Sequence, residues 1–213
     1  MDKQLILKKL KELRETSKKR KFSQTFDIII NLNNLDLKKP ENKIDVFLVL
    51  PNQTGKKVKI CGLVDKELSL KSKEILDHTV LKDEFNALDK KVIKQLSSDY
   101  TYFISQANIM TDVAKTFGRV FGPKGKMPNP KAGCVVPPTA DLKNLKERLE
   151  KTIRFHLNTE LILKAPMGKE DMDDELIADN IFSAYNNLIQ NLPQERNNIK
   201  NVLVKFTMSK PIK

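Results

Sequence analysis

A chain of 213 residues, 39% hydrophobic and 31% charged, is long enough for one large domain or two small ones, each with its own core. Its net charge of +12 points to a polyanionic partner or an acidic membrane surface; residues 1–60 hold 15 basic against 7 acidic side chains, residues 61–152 hold 16 against 12, and the remainder is neutral. No apolar run approaches membrane-spanning length, the first twenty residues lack a signal-like apolar core, and Cys61 and Cys134 lack the paired spacing of a zinc or redox motif, so the expected setting is cytoplasmic and reducing.

Ile6, Leu10 and Leu13 recur at helical spacing and predict an amphipathic helix over residues 1–20, ending in the basic run Lys18 to Lys21. Such a run is either a solvated face or a phosphate contact, and here it leads directly into a strand. Phe26, Ile28, Ile30 and Leu32 alternate, which puts Thr25, Asp27, Ile29 and Asn31 on the opposite face. Lys21, Phe22, Thr25 and Asp27 then combine a cation, an aromatic ring, a hydroxyl and a carboxylate, groups that stack on bases and meet 2′-hydroxyls; Phe22 can equally cap the sheet from within the core. Residues 33–43, with Pro40, read as a loop, and residues 44–50 as a buried strand stopped by Pro51 and a turn through Gly55.

The pattern then changes. Strands over 58–64, 79–81 and 100–105 alternate with helices over 68–76, 84–96 and 108–117, which predicts a small parallel sheet with helices on its faces. Residues 118–138 gather four of the seven glycines and five of the ten prolines with Arg119, Lys124, Lys126 and Lys131, and no acidic residue. Glycine and proline in alternation specify a rigid, irregular path, and the interleaved cations make an anion the expected neighbour. A nucleotide-phosphate loop is a poor match, since Val120 stands where its first glycine belongs and Met127 where its hydroxyl belongs.

Thr139 reads as the N-cap of a helix with Leu142, Leu145 and Leu149 on one side. Ile153, Phe155 and Leu157 resume strand alternation with Arg154 and His156 facing the other way, and a strand over 161–165 ends in Pro166, Met167, Gly168 and Lys169. Asp171, Asp173, Asp174 and Glu175 start a helix carrying Ile177, Ile181, Ala184 and Leu188, where negative charge complements the helix dipole; this reading is preferred to a metal site. Val202, Val204, Phe206 and Met208 predict a last strand, with Lys205, Thr207 and Ser209 on its other face.

Gly118 to Gly133, GRVFGPKGKMPNPKAG, resembles the signature segment of the large-subunit ribosomal protein L-one family in its archaeal-type form. Lys21-Phe22-Ser23-Gln24-Thr25-Phe26-Asp27 resembles that family's first-strand motif, and Pro166-Met167-Gly168-Lys169 its glycine-lysine turn. Asp174-Glu175-Leu176 through Asp179-Asn180-Ile181 is similar to the start of its long helix, and Val204-Lys205-Phe206-Thr207-Met208-Ser209 to its final strand, with Ser209 where the family usually has glycine.

The resemblance implies an α+β domain one built from both chain ends, residues 1–57 and 153–213, with an inserted α/β, Rossmann-like, three-layer domain two at 58–152. It implies RNA contacts through Lys21, Phe22, Thr25, Asp27, Met167, Gly168, Lys169, Thr207, Met208 and Ser209, with secondary RNA or tRNA contacts through Arg119, Lys124, Lys126 and Lys131. The implied protein is a non-enzymatic constituent of the large ribosomal subunit, without cofactor or metal. It would hold the rRNA stalk beside exit-site tRNA, assist release of deacylated tRNA, repress its own mRNA, and be a monomer when free of the ribosome. A nucleotide-dependent enzyme is the main alternative, but no dinucleotide fingerprint follows the 58–64 strand and no nucleophile, base or metal constellation is evident. A general basic nucleic-acid-binding module is the other.

Overall fold

A computed structural model describes residues 2–37, 39, 42, 44–157 and 159–213, so Pro40 of the expected loop lies outside the described residues. The chain divides into two compact units, Met1–Lys56 with Lys151–Lys213, and Lys57–Glu150. Lys57 therefore falls in the second unit and Lys151 and Thr152 in the first, the reverse of the expected boundaries.

In the first unit, helix α1 (Lys3–Thr16) opens on Asp2, whose carboxylate accepts from the Gln4 N–H, and buries Ile6, Leu10 and Leu13. It stops at Thr16 rather than Arg20, because residues 17–21 bring no apolar side chain to extend the buried stripe. Strand β1 (Thr25–Leu32) is central in an antiparallel three-stranded sheet, between β8 (Ile162–Lys169) and β9 (Ile199–Phe206). Phe26, Ile28, Ile30 and Leu32 face a core shared with Leu163, Ala165, Met167, Phe206, α1 and helix α6 (Asp174–Gln190). Phe26 and Phe206 pack with ring centroids 4.2 Å apart, a contact worth roughly 0.5–1.5 kcal/mol beyond the area it buries.

Three strand expectations change. Strand β2 (Asp45–Val49) is not buried throughout: only Leu48 within it is, because the strand pairs with β7 (Thr152–His156) alone and its other face carries the Asp45–Arg154 ion pair. Strand β8 continues through Pro166 to Lys169, a proline tolerated because β8 is an edge strand and the ladder shifts register opposite it, between Phe26 and Asp27. Strand β9 starts at Ile199 and ends at Phe206, so Met208 leaves the alternation and lies in a turn.

Arg14 fixes α1 to the β8–α6 connection. Its Nε pairs with Asp174 Oδ1 at 2.8 Å, and its two terminal nitrogens donate to the carbonyls of Glu170 (2.7 Å) and Met172 (2.9 Å). The guanidinium also lies 5.1 Å from the Phe26 ring centroid. One of the acidic residues heading α6 is thus consumed by an internal ion pair, beside its favourable place at the helix N-terminus.

The second unit is a parallel sheet in the order β4 (His78–Leu81), β3 (Ile60–Val64), β5 (Tyr102–Gln106), β6 (Val135–Val136). All five residues of β3 are buried, as expected of a central parallel strand covered on both faces. The helices are α2 (Lys66–Ile75), α3 (Lys90–Asp99), α4 (Met110–Phe121) and α5 (Leu142–Glu150). The expected 84–96 helix is instead a 3-10 segment, Lys82–Ala87, followed by α3. Helix α4 runs to Phe121, so the glycine- and proline-rich loop begins at Gly122, not Gly118. The residue capping α5 is Asp141, not Thr139: its Oδ1 accepts from the Lys143 and Asn144 amides at 3.0 and 3.4 Å. Cys61 and Cys134 are free and buried, and burial pushes their thiols up to about 12 and about 11.

Candidate nucleic-acid interface

One end of the β8–β1–β9 sheet assembles most of the sequence-predicted contacts. The Thr25 N–H donates to Thr207 Oγ1 at 3.2 Å, and the Thr207 N–H donates back to the Thr25 carbonyl at 3.1 Å, which joins the start of β1 to the turn after β9. A hydroxyl oxygen that accepts from a backbone amide still has its own O–H to donate, so exposed Thr207 offers a fixed donor. Gln24, only 2% exposed, ties the third segment in. Its carbonyl accepts from Glu170 N–H (2.8 Å), its own N–H donates to Glu170 Oε2 (3.1 Å), and its Oε1 accepts from Met208 N–H (3.4 Å). Ser23 Oγ adds a bond to Asp171 Oδ2 at 2.6 Å. Residues 182 positions apart in sequence become immediate neighbours.

On this frame Phe22 is 52% and Met208 60% exposed, and Lys21 is exposed beside them. The exposure removes the alternative in which Phe22 caps the core. Two large apolar side chains held in water at the end of a rigid sheet are a costly arrangement that base stacking would relieve. Lys169 lies opposite Thr25 in register, and its stem runs over Gly55: a Cβ built there would meet Lys169 Cγ at 3.2 Å, and Gly55 has φ +69°.

The sheet face turned away from the core extends the surface. Asp27 sits opposite Lys205, and burial raises its carboxyl above the ordinary aspartate range, while Lys205 and Lys56 pull it down. Beyond it Ile29 lies between Lys164 and Leu203, and Asn31 Nδ2 donates to Asn201 Oδ1 at 2.6 Å. Asp27, Ile29, Lys164, Pro166 and Lys205 line a shallow depression of about 290 Å³. Lys56, Lys164 and Asn201 were not singled out from sequence, and Lys205 only as a residue of the last strand's outer face; pairing register brings Lys164, Lys205 and Asn201 beside Asp27, Ile29 and Asn31, with the alternation of β8 and β9 as the available signal, whereas Lys56 reaches Asp27 from the connection after β2.

Two predicted residues face inward. Met167 is fully buried in the core and its carbonyl accepts from Asn180 Nδ2 at 2.8 Å, so the side chain is withdrawn from the contact set: alternation along β8 points it at α6. Gly168 is also buried; a Cβ there would lie 2.8 Å from Ile177 Cγ1, so the glycine serves close packing of β8 against α6. Its backbone is what reaches the sheet end, opposite Phe26.

Ser209 closes the turn after β9. Its Oγ accepts from the Phe206 N–H at 2.9 Å and donates to the Lys210 carbonyl at 3.0 Å, and its own N–H donates to the Phe206 carbonyl at 3.2 Å. The described non-glycine residues with positive φ are Asn34 and Glu195, so Ser209 carries no left-handed strain. The serine replaces a glycine's freedom with a hydrogen-bonded turn.

The four cations of the second unit divide. Lys124 Nζ donates to Ser97 Oγ (2.5 Å) and Ser98 Oγ (3.3 Å), and Lys126 Nζ to the carbonyls of Tyr100 (3.0 Å) and Thr101 (3.1 Å). Their ammonium groups hold the loop to the α3–β5 junction, with Lys124 itself still exposed. Arg119, on the last turn of α4, and Lys131, in the 3-10 turn Pro130–Ala132, are exposed.

Residues 11–210 match the model of the ribosomal protein L1p/L10e family. Large ribosomal subunit protein uL1 of Nanoarchaeum equitans is 37% identical over 208 residues, 96% of this chain and 96% of the relative. The protein of the same name from Methanothermococcus thermolithotrophicus is 38% identical over 213 residues, 99% and 98% of the two chains, and that from Thermococcus kodakarensis 35% identical over 215 residues, 100% and 97%. These relatives are named as ribosomal proteins, not as enzymes. With the family model spanning nearly the whole chain and these relatives matched end to end, the chain belongs to the ribosomal protein L1p/L10e family.

Proposed function

We propose that this chain is a cytoplasmic constituent of the large ribosomal subunit that binds large-subunit rRNA at the mobile stalk through the end and open face of the β8–β1–β9 sheet. The observation that carries the reading is the mutual Thr25–Thr207 hydrogen-bonded pair, which sets exposed Phe22 and Met208 beside a hydroxyl donor, the Asp27 acceptor and Lys169. A preorganised set of stacking and hydrogen-bonding groups recognises RNA shape at little ordering cost, while lysines neutralise phosphates. The contact residues are Lys21, Phe22, Thr25, Asp27, Lys169, Thr207, Met208 and Ser209, with the Gly168 backbone beneath them. Arg119 and Lys131 of the second unit supply secondary contacts to rRNA or exit-site tRNA, assisting release of deacylated tRNA. The same surface, presented with a copy of the rRNA site in the chain's own mRNA, would repress its translation.

The test is affinity across a salt series for a stalk rRNA fragment, with an unrelated structured RNA and duplex DNA as competitors. Salt-tolerant preference for the stalk fragment, lost in Phe22→Ala, is the expected result. Equal and steeply salt-sensitive binding to all three would reduce the surface to a nonspecific basic patch.

A further inference from the structure

Beside the sheet end lies a cavity that shares Met208 and Ser209 with the contacts above and is otherwise distinct from them. It has a volume of about 400 Å³, walled on one side by the end of α1 and the basic run after it, and on the other by the chain's final residues. Leu13, the buried Gln24 and the exposed Met208 also line it. Its far wall is held in place. Ile212 and Val204 exchange two backbone hydrogen bonds of 2.9 Å, which fold residues 208–212 back along β9.

Charge gives the cavity its character. Lys18, Arg20 and Lys210 line it, no carboxylate does, and none of the three forms an ion pair among the described residues. Two carboxylates of the β8–α6 connection are engaged elsewhere: Glu170 accepts from Gln24 N–H and Asp171 from Ser23 Oγ. The C-terminus of α1 contributes the equivalent of roughly half a negative charge. Three cations exceed that, and around one concavity they repel one another until an anion enters.

We propose that this cavity receives a backbone phosphate of the bound RNA, one step along the strand from the bases that stack on Phe22 and Met208. The inference rests on the rRNA-binding reading and deepens it. Met208 belongs to both surfaces, so a strand crossing the sheet end is led to Lys210 and Arg20, and the interface continues past the β-strands onto the end of α1 and the C-terminal strap.

The test compares wild type with Arg20→Gln/Lys210→Gln, with Lys18→Gln as a second variant and Lys11→Gln, on the exposed side of α1, as control. Each is first shown by circular dichroism to be folded. The dependence of log affinity on log salt for the stalk rRNA fragment should flatten by about one in the double variant and stay unchanged in the control. Amide shifts on titration with adenosine monophosphate and with inorganic phosphate, read in the absence of RNA, should centre on residues 17–20 and 208–212 and vanish in the double variant. A wild-type slope in the double variant, with preference for the stalk fragment intact, would overturn the cavity and leave the rRNA reading standing. No preference in wild type would overturn both. Phosphate-induced shifts without any change of slope would mean a free phosphate ligand and would also overturn the proposal.

Discussion

Replacing Lys126 by Met separates shaping of the loop from contact with RNA. The thioether keeps much of the aliphatic stem and removes the ammonium, whose two bonds to the Tyr100 and Thr101 carbonyls measure 3.0 and 3.1 Å. Hydrogen bonds to a charged group contribute about 1.5–3 kcal/mol when buried, but the site is half-buried and water can re-enter to solvate both carbonyls, so about 1–2 kcal/mol is expected. The same loop is closed by the Gly125 and Lys126 amides, which donate to the Gly122 and Phe121 carbonyls at 3.0 and 2.9 Å. Their native-state hydrogen exchange should speed up by about 5- to 30-fold, with a urea midpoint lowered by roughly 0.5–1 M at a slope near 2 kcal/mol/M. RNA affinity and its salt dependence should stay at wild-type values. Unchanged exchange together with a salt slope flattened by about one would refute the structural role and return Lys126 to the RNA interface.

Thr207→Ala removes the Oγ1 that accepts from the Thr25 amide and should weaken stalk RNA binding by about 1–3 kcal/mol in a filter or calorimetric titration; unchanged affinity would move the site away from the sheet end. Ser209→Gly, which deletes the acceptor of the Phe206 N–H without relieving any positive φ, should lower unfolding stability by about 1 kcal/mol, whereas a stabilised variant would mean that the turn is strained. Arg14→Lys should cost about 1–3 kcal/mol in denaturant unfolding, since an ammonium cannot reproduce the three-way fork to Asp174, Glu170 and Met172. For Asp27 the folded-state pKa is raised, so the fold favours the protonated form. Its stabilising contribution is fully present below the ordinary aspartate pKa and is lost as pH rises through the raised value. The stability difference between wild type and Asp27→Asn should therefore change across that acid window and be flat at neutral pH, while RNA affinity of wild type falls as pH drops through it.

Much of the secondary structure was legible because burial imposes a period. The stripe of Ile6, Leu10 and Leu13 and the alternation from Phe26 to Leu32 are lines of side chains that must share one face, and the structure buries each of them. The ends of elements were less legible. Phe121 and Lys169 close their elements through neighbouring packing and pairing partners, and α1 closes at Thr16 where its apolar stripe runs out, short of the end at Arg20 read from sequence. Lys124 and Lys126 show the same limit in the candidate site: a lysine among glycines and prolines reads as a free cation until the acceptors at Ser97, Ser98, Tyr100 and Thr101 are seen.

The sequence by itself determined most of the helices and strands, though not the 3-10 segment Lys82–Ala87 or strand β6, together with the basic excess and, through ordered motif matches, the family. Tertiary structure alone decided that Met167 is core and Phe22 is not, and that Lys164, Lys205 and Asn201 stand beside Asp27 and Asn31. The physical reason is range. Periodicity reports forces acting within a few residues, whereas Thr25 and Thr207 meet only because two antiparallel ladders on β1 fix register across most of the chain.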